Sequence, residues 1–196
     1  MADAPPPEPA SEEAPTPWWR TALVWLERAA WVGLALFALN RLGPQLGALT
    51  GVGPDLGRAP ELTVATLDGD TLTSADLRGK VVVVNFWATW CMPCRLEMPA
   101  LQKLHETYAA DDVVVVGLST DVGSADPVHA FLDERGITYP VGRATPGQRQ
   151  AFGGIRGIPT TFIIDRKGVV RHRVVGYFAP PAMGAAVTRF LEEPTP

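Results

Sequence analysis

Cys91 and Cys94 are the only cysteines in this 196-residue chain. At this spacing on a helix two side chains share one face, so the pair can exchange a disulfide or supply half of a metal site. The run before them, Val81 to Trp87, is four valines followed by Asn85, Phe86 and Trp87, and it reads as a buried parallel strand covered on both faces. Pro93 suits the first turn of a helix, so both cysteines fall at a helix amino terminus. Unpaired N–H groups and the positive end of the dipole favour a thiolate there, which places Cys91 below the ~8.5 of a free thiol. An exposed Cys91 thiolate would attack a disulfide, and Cys94 would then resolve the mixed disulfide by closing a Cys91–Cys94 bond.

Other chemistries fit these residue types less well. A structural zinc site needs two further ligands, and His105, His129 and His172 stand at unrelated spacings, so no metal site is expected. Met92 and Met98 beside two thiols would suit soft Cu(I), as in a non-enzymatic copper-delivery or sensing module, but Met98 also suits a buried helix position. The pair closes too small a ring to be a stability staple. Formal charge is −4 and the Lys and Arg residues are scattered, which is not the basic footprint of a nucleic-acid binder.

The run Phe86-Trp87-Ala88-Thr89-Trp90-Cys91-Met92-Pro93-Cys94, with Pro99 five residues further on, resembles the active site of the thioredoxin superfamily. Within it, Asn85 and Glu97 resemble the membrane-anchored TlpA/ResA-like branch, which has Asn where cytosolic thioredoxin has a buried Asp and Glu three residues after the second cysteine. The resemblance covers roughly residues 59 to 193. It implies an α/β thioredoxin fold, a central mixed sheet flanked by helices, with an amino-terminal hairpin and an inserted helix-strand unit. It also implies a redox-active Cys91–Cys94 disulfide, no cofactor, disulfide-containing substrate proteins, and a membrane thiol reductase as electron donor. Members of the branch generally reduce selected disulfides outside the bacterial cytoplasm, often in cytochrome c maturation or metal-centre assembly.

Glu97 shares a helix face with Cys94, so a partly buried Glu97 with a raised pKa could take the Cys94 proton; the plainer reading is a solvated helix residue. Asn85 carries an amide, which does not titrate. Ile158-Pro159-Thr160 falls at a strand start, where the superfamily places a cis-proline loop facing the cysteines. A proline there can simply begin a strand, but a cis bond would turn the Ile158 backbone toward an extended substrate segment. Trp87 reads as core. Trp90, Pro93, Ile158 and Pro159 are the candidate substrate contacts. Peroxiredoxins share the fold core, but their motif places Pro and Thr before a lone attacking cysteine, and Trp87 and Thr89 precede Cys91 at the wrong spacing.

These residues must be positioned by the rest of the chain. Residues 1–20 are rich in Pro, Ala and Glu and are expected to be a disordered tail. Residues 21–42 are expected to be a transmembrane anchor: Thr21 to Leu39 is apolar except for Glu27 and Arg28, and as a helix it would reach ~28 Å against a hydrocarbon core of ~30 Å. Trp18, Trp19, Trp25 and Trp31 cluster toward one end, as interfacial aromatics do. A cleaved signal peptide is the competing reading, although no Ala-x-Ala triplet follows the apolar run. Residues 43–58 read as a Gly/Pro-rich linker and 59–193 as the thioredoxin-like domain, on the periplasmic side by resemblance. Within that domain the expected elements are a hairpin around Asp68-Gly69-Asp70, strands at 113–118, 138–141, 160–164 and 169–175, and helices at 126–135, 146–152 and 180–191. The three histidines are expected at the surface.

Overall fold

The computed structural model describes residues 18–50, 56–108 and 113–193. Two units divide between Asn40 and Arg41. Helix α1 (Trp18–Thr50) outruns the expected anchor at both ends. It takes in Trp18 to Arg20 from the expected tail and Gly43 to Thr50 from the expected linker. Pro44 removes one ladder donor, but Gln45, Leu46, Ala48 and Leu49 favour helix, so the segment continues. Leu23–Asn40 has a mean hydropathy of 1.3 and none of it is buried, so this helix is long and apolar enough to cross a membrane. The Arg28 guanidinium lies 5.6 Å from the centre of the Trp25 ring. Residues 1–17 of the expected tail and residues 51–55 of the expected linker lie outside the described residues.

Strand β3 (Val81–Trp87), buried at every position, is the middle of a five-stranded mixed sheet. It pairs in parallel with β4 (Val113–Ser119) and antiparallel with β6 (Thr160–Ile164). Strand β5 (Val141–Arg143) adds in parallel to β4, and β7 (Val170–Val175) adds antiparallel to β6. Because side chains alternate along a strand, Val81, Val83 and Trp87 point to one face and Val82, Val84 and Phe86 to the other. The first face packs on α2 (Met92–Tyr108), α3 (Asp126–Glu134) and α5 (Pro180–Glu192) through Met98, Leu101, Val128, Met183 and Phe190. The second packs on Leu62, Val64 and Phe152, the last at the end of α4 (Pro146–Ala151). A central strand of valines and aromatics is stable only when both faces are covered, as they are here.

Both sheet edges are tied down. The amino-terminal hairpin β1 (Thr63–Ala65) and β2 (Thr71–Thr73) reaches β5 through a Thr66–Gly142 bridge and a Leu67 N–H to Val141 carbonyl bond of 2.7 Å. On the far edge the Leu56 N–H donates to the Val170 carbonyl at 3.0 Å and the Val170 N–H to the Gly57 carbonyl at 2.9 Å. Leu56 and Gly57, within the expected linker, are thus hydrogen-bonded to β7. The open edge of β7 offers backbone groups that need partners, and this segment supplies them.

Two further expectations are corrected. Strand β5 starts at Val141 instead of Thr138, because Pro140 has no N–H for the ladder and the Thr138 N–H donates to Gln102 Oε1 at 2.9 Å. His172 is buried, not at the surface, since strand alternation turns it inward, with its ring 5.6 Å from that of Phe190.

Candidate active site

Strand β3 ends at Trp87, whose carbonyl accepts from the Thr120 N–H at 2.8 Å, and the chain turns before α2 begins at Met92. The Cys91 N–H closes that turn onto the Ala88 carbonyl at 3.2 Å. Cys91 thus stands immediately before the helix and Cys94 at its third residue, with the two sulfurs joined in a disulfide. The Cys94 N–H donates to Cys91 Sγ at 3.3 Å. That is the bond an N-cap acceptor makes to the third residue of a helix, so one of the unpaired helix-end donors is already aimed at this sulfur. Any negative charge gained by Cys91 on reduction meets this donor and the positive dipole end.

Cys91 is 5% exposed and Cys94 1%, so the openly exposed Cys91 expected from the sequence is corrected for the disulfide form. Ring closure draws Cys91 onto Cys94, and the outward surface beside it belongs to Trp90, 71% exposed, and to Met92 and Pro93. The residual access is on Cys91, the order an attacking and a resolving sulfur require.

Glu97, one helical turn beyond Cys94, is fully buried. Thr161 Oγ1 donates to its Oε1 at 2.7 Å, Asn85 Nδ2 to the same oxygen at 3.2 Å, and the Phe178 N–H to Oε2 at 3.1 Å. Asn85 also donates to Thr161 Oγ1 at 2.9 Å, which leaves the threonine hydrogen for the carboxylate. Desolvation pushes the Glu97 carboxyl up to about 7, and the bonds from Thr161 and Phe178 restrain it from rising further. The solvated-helix reading of Glu97 is thereby excluded. A carboxyl pushed toward neutrality and held one helical turn from the buried cysteine is of the kind that gives and takes protons. Thr161 and the Phe178 amide were not legible as site groups: Thr161 meets Asn85 only through the antiparallel register of β3 and β6, and a backbone N–H leaves no mark on sequence.

The Ile158–Pro159 peptide bond is cis. Phe86 pairs with Thr160, so the start of β6 lies beside the end of β3 from which the cysteine turn departs. Ile158 packs against the cluster that contains both cysteines. The Pro159 carbonyl accepts from the Gly176 N–H at 2.7 Å, whereas among the described residues the N–H and carbonyl of Ile158 take no hydrogen bond. Those two groups can pair with an added extended segment. Cavities of about 480 and 660 Å3 open elsewhere on the domain, and neither is lined by a cysteine.

A two-cysteine redox centre on a sheet of this order is the chemistry of the thioredoxin-fold thiol-disulfide oxidoreductases, and the protein is an enzyme of that class. The chain belongs to the AhpC/TSA family, whose model matches residues 57–173. It is 40% identical over 120 residues to the thioredoxin-like protein YneN of Bacillus subtilis, covering 61% of this chain and 70% of that protein. It is 35% identical over 120 residues to the thiol-disulfide oxidoreductase ResA of Bacillus thuringiensis, covering 60% of this chain and 68% of that one. The crystal structure of a thiol:disulfide interchange protein of the thioredoxin family from Chlorobium tepidum superposes with a TM-score of 0.65 at 38% identity, covering 69% of this chain and 96% of the other.

Proposed function

We propose that this protein is a membrane-tethered, extracytoplasmic reductase of protein disulfides in which Cys91 attacks, Cys94 resolves and Glu97 manages the Cys94 proton. In the reduced enzyme the Cys91 thiolate attacks one sulfur of the substrate disulfide, and the other substrate sulfur leaves as a thiolate. Cys94 gives its proton to the Glu97 carboxylate and attacks Cys91 Sγ. The second substrate thiolate leaves, and the Cys91–Cys94 disulfide remains. Glu97 passes its proton to a departing substrate thiolate. A membrane dithiol reductase, its own dithiol becoming a disulfide, then supplies two electrons and one proton to restore the Cys91 thiolate and the Cys94 thiol, its second proton going to solvent. Trp90, Pro93, Ile158 and Pro159 form the docking surface, with the substrate backbone pairing to Ile158 as an added strand. Helix α1 is the anchor, and the substrates are apoproteins of cytochrome c maturation or metal-centre assembly.

The observation that supports the reading best is the buried Glu97, held one turn from Cys94 with a carboxyl near neutrality. The orientation of the anchor and the substrate class are supported by the resemblance of residues 85–99 to the TlpA/ResA-like branch.

The test is a Cys94→Ala variant expressed in its host. The mixed disulfide at Cys91 should accumulate and be identified by mass spectrometry, while Cys91→Ala shows none. No adduct, or the same adducts in both variants, would refute the assignment of the nucleophile. Purified protein should reduce insulin disulfides; turnover of peroxide instead would favour a peroxidase.

A further inference from the structure

Outside the cysteine helix, a second polar network reaches the turn that carries Cys91. Asp121 lies in the loop between β4 and α3. Its Oδ1 accepts from Thr89 Oγ1 at 2.7 Å, and its Oδ2 accepts from the Thr89 N–H at 3.0 Å and from Ser119 Oγ at 2.8 Å. The loop is held in turn from β5: Arg143 Nη2 donates to the Asp121 carbonyl and Nη1 to the Gly123 carbonyl, each at 2.6 Å. Arg143 makes no ion pair among the described residues, so its charge is spent on two loop carbonyls.

We propose that Arg143 and Asp121 are positioning residues, a latch through which the inserted α3–β5 unit sets the reactivity of Cys91. Thr89 is two residues from Cys91, and the turn from Ala88 to Cys91 decides where Cys91 Sγ stands relative to the Cys94 N–H. Thr89 gives both its backbone and its side-chain donor to one carboxylate, so the turn cannot rotate about that residue without breaking two bonds to an anion, the stronger kind of hydrogen bond. The Asp121 backbone is itself held by a planar guanidinium bridging two carbonyls, a geometry a lysine ammonium cannot reproduce. Support of this kind keeps a reacting atom within the few tenths of an ångström that its stabilising donor requires. The latch rests on the proposed role of Cys91 as the attacking sulfur.

Position and charge make opposite predictions, which gives the test. The full-length reduced protein is alkylated at Cys91 with iodoacetamide at about pH 6, where the rate follows the thiolate fraction. Loosening the turn withdraws the Cys94 N–H and lowers that fraction. Arg143→Ala, Arg143→Lys and Asp121→Ala should each slow alkylation by about two- to fivefold, the size of a helix-end interaction. The Arg143→Ala/Asp121→Ala double variant should be no slower than the slower single one, because the two residues act as a unit. Were charge alone at work, removing the Asp121 anion would speed alkylation and Arg143→Lys would leave it unchanged; either result overturns the latch. A lowered melting temperature with unchanged alkylation overturns it as well. Should an alanine variant fail to fold, Thr89→Val removes one latch donor with no change of charge and carries the same expectation. An ordinary alkylation profile in the unsubstituted protein would instead count against the nucleophile assignment, and the latch would still be read from the differences among variants.

Discussion

Thr161 Oγ1 stands 2.7 Å from Glu97 Oε1, although the two residues are 64 positions apart in the chain. Thr161 lies opposite Asn85 in the β3–β6 pairing and Glu97 lies on the helix after β3, so sheet register and helix phase together create a three-residue polar cage inside an apolar core. The cage lets a carboxylate exist there, and the surrounding core keeps its proton affinity high.

That balance makes stability depend on pH. Burial raises the folded-state Glu97 carboxyl from an ordinary 4.5 to about 7, so the folded protein holds this proton more tightly than the unfolded chain does. The stabilisation is therefore complete below the unfolded value and is lost as pH rises through the folded one, by on the order of 3 kcal/mol. Denaturant unfolding of the oxidised protein should weaken between those two pH values, and Glu97→Gln should flatten that slope. An unchanged slope in the variant would show that Glu97 is not the group responsible.

Thr161→Val keeps the shape of the side chain but removes a donor that favours the charged form of Glu97, so the carboxyl should rise further. The pH midpoint for resolution of a Cys91 mixed disulfide, followed by stopped flow, should move upward. Glu97→Gln should slow the same step by about a hundredfold, the lower range for loss of a general base. A midpoint that stays put in Thr161→Val would mean the limb belongs to another group.

Trp90 is exposed beside Cys91, so Trp90→Ala should change folding stability by no more than about 0.5 kcal/mol. If it is a docking residue, kcat/KM for a protein disulfide should fall about fivefold or more while the rate with a small-molecule disulfide holds. Equal losses on both substrates would assign Trp90 to the chemistry or the turn instead of to docking.

Gly142 is the place where β5 meets the hairpin. A Cβ there would run into the Val64 side chain and come within 2.6 Å of the Ala65 carbonyl oxygen. Gly142→Ala should cost about 1–3 kcal/mol in denaturant unfolding, because one of the two obstacles is backbone that cannot move aside alone. A neutral substitution would mean the hairpin floats on this edge.

With α1 as a membrane anchor, the full chain should stay in the pellet after alkaline carbonate extraction. Recovery in the supernatant would sink the anchor reading while leaving the redox chemistry untouched.

Much of this molecule was legible one residue at a time. The spacing of Cys91 and Cys94, the helix start near Pro93, the apolar runs of β3, β4 and β6 and the existence of the apolar helix are all properties of contiguous sequence, because strand alternation, helix phase and capping act over a few residues. Glu97 was legible as a candidate by its phase to Cys94. Local reading failed where a distant partner decided the outcome: Thr138 left the sheet for Gln102, and His172 turned into the core. What only the tertiary structure decided is which polar groups meet across the sheet. Thr161 beside Asn85, the Phe178 amide on Glu97 and Asp121 on Thr89 each join residues from separate elements, and such pairings follow from strand register and loop path, which no local pattern of residues encodes.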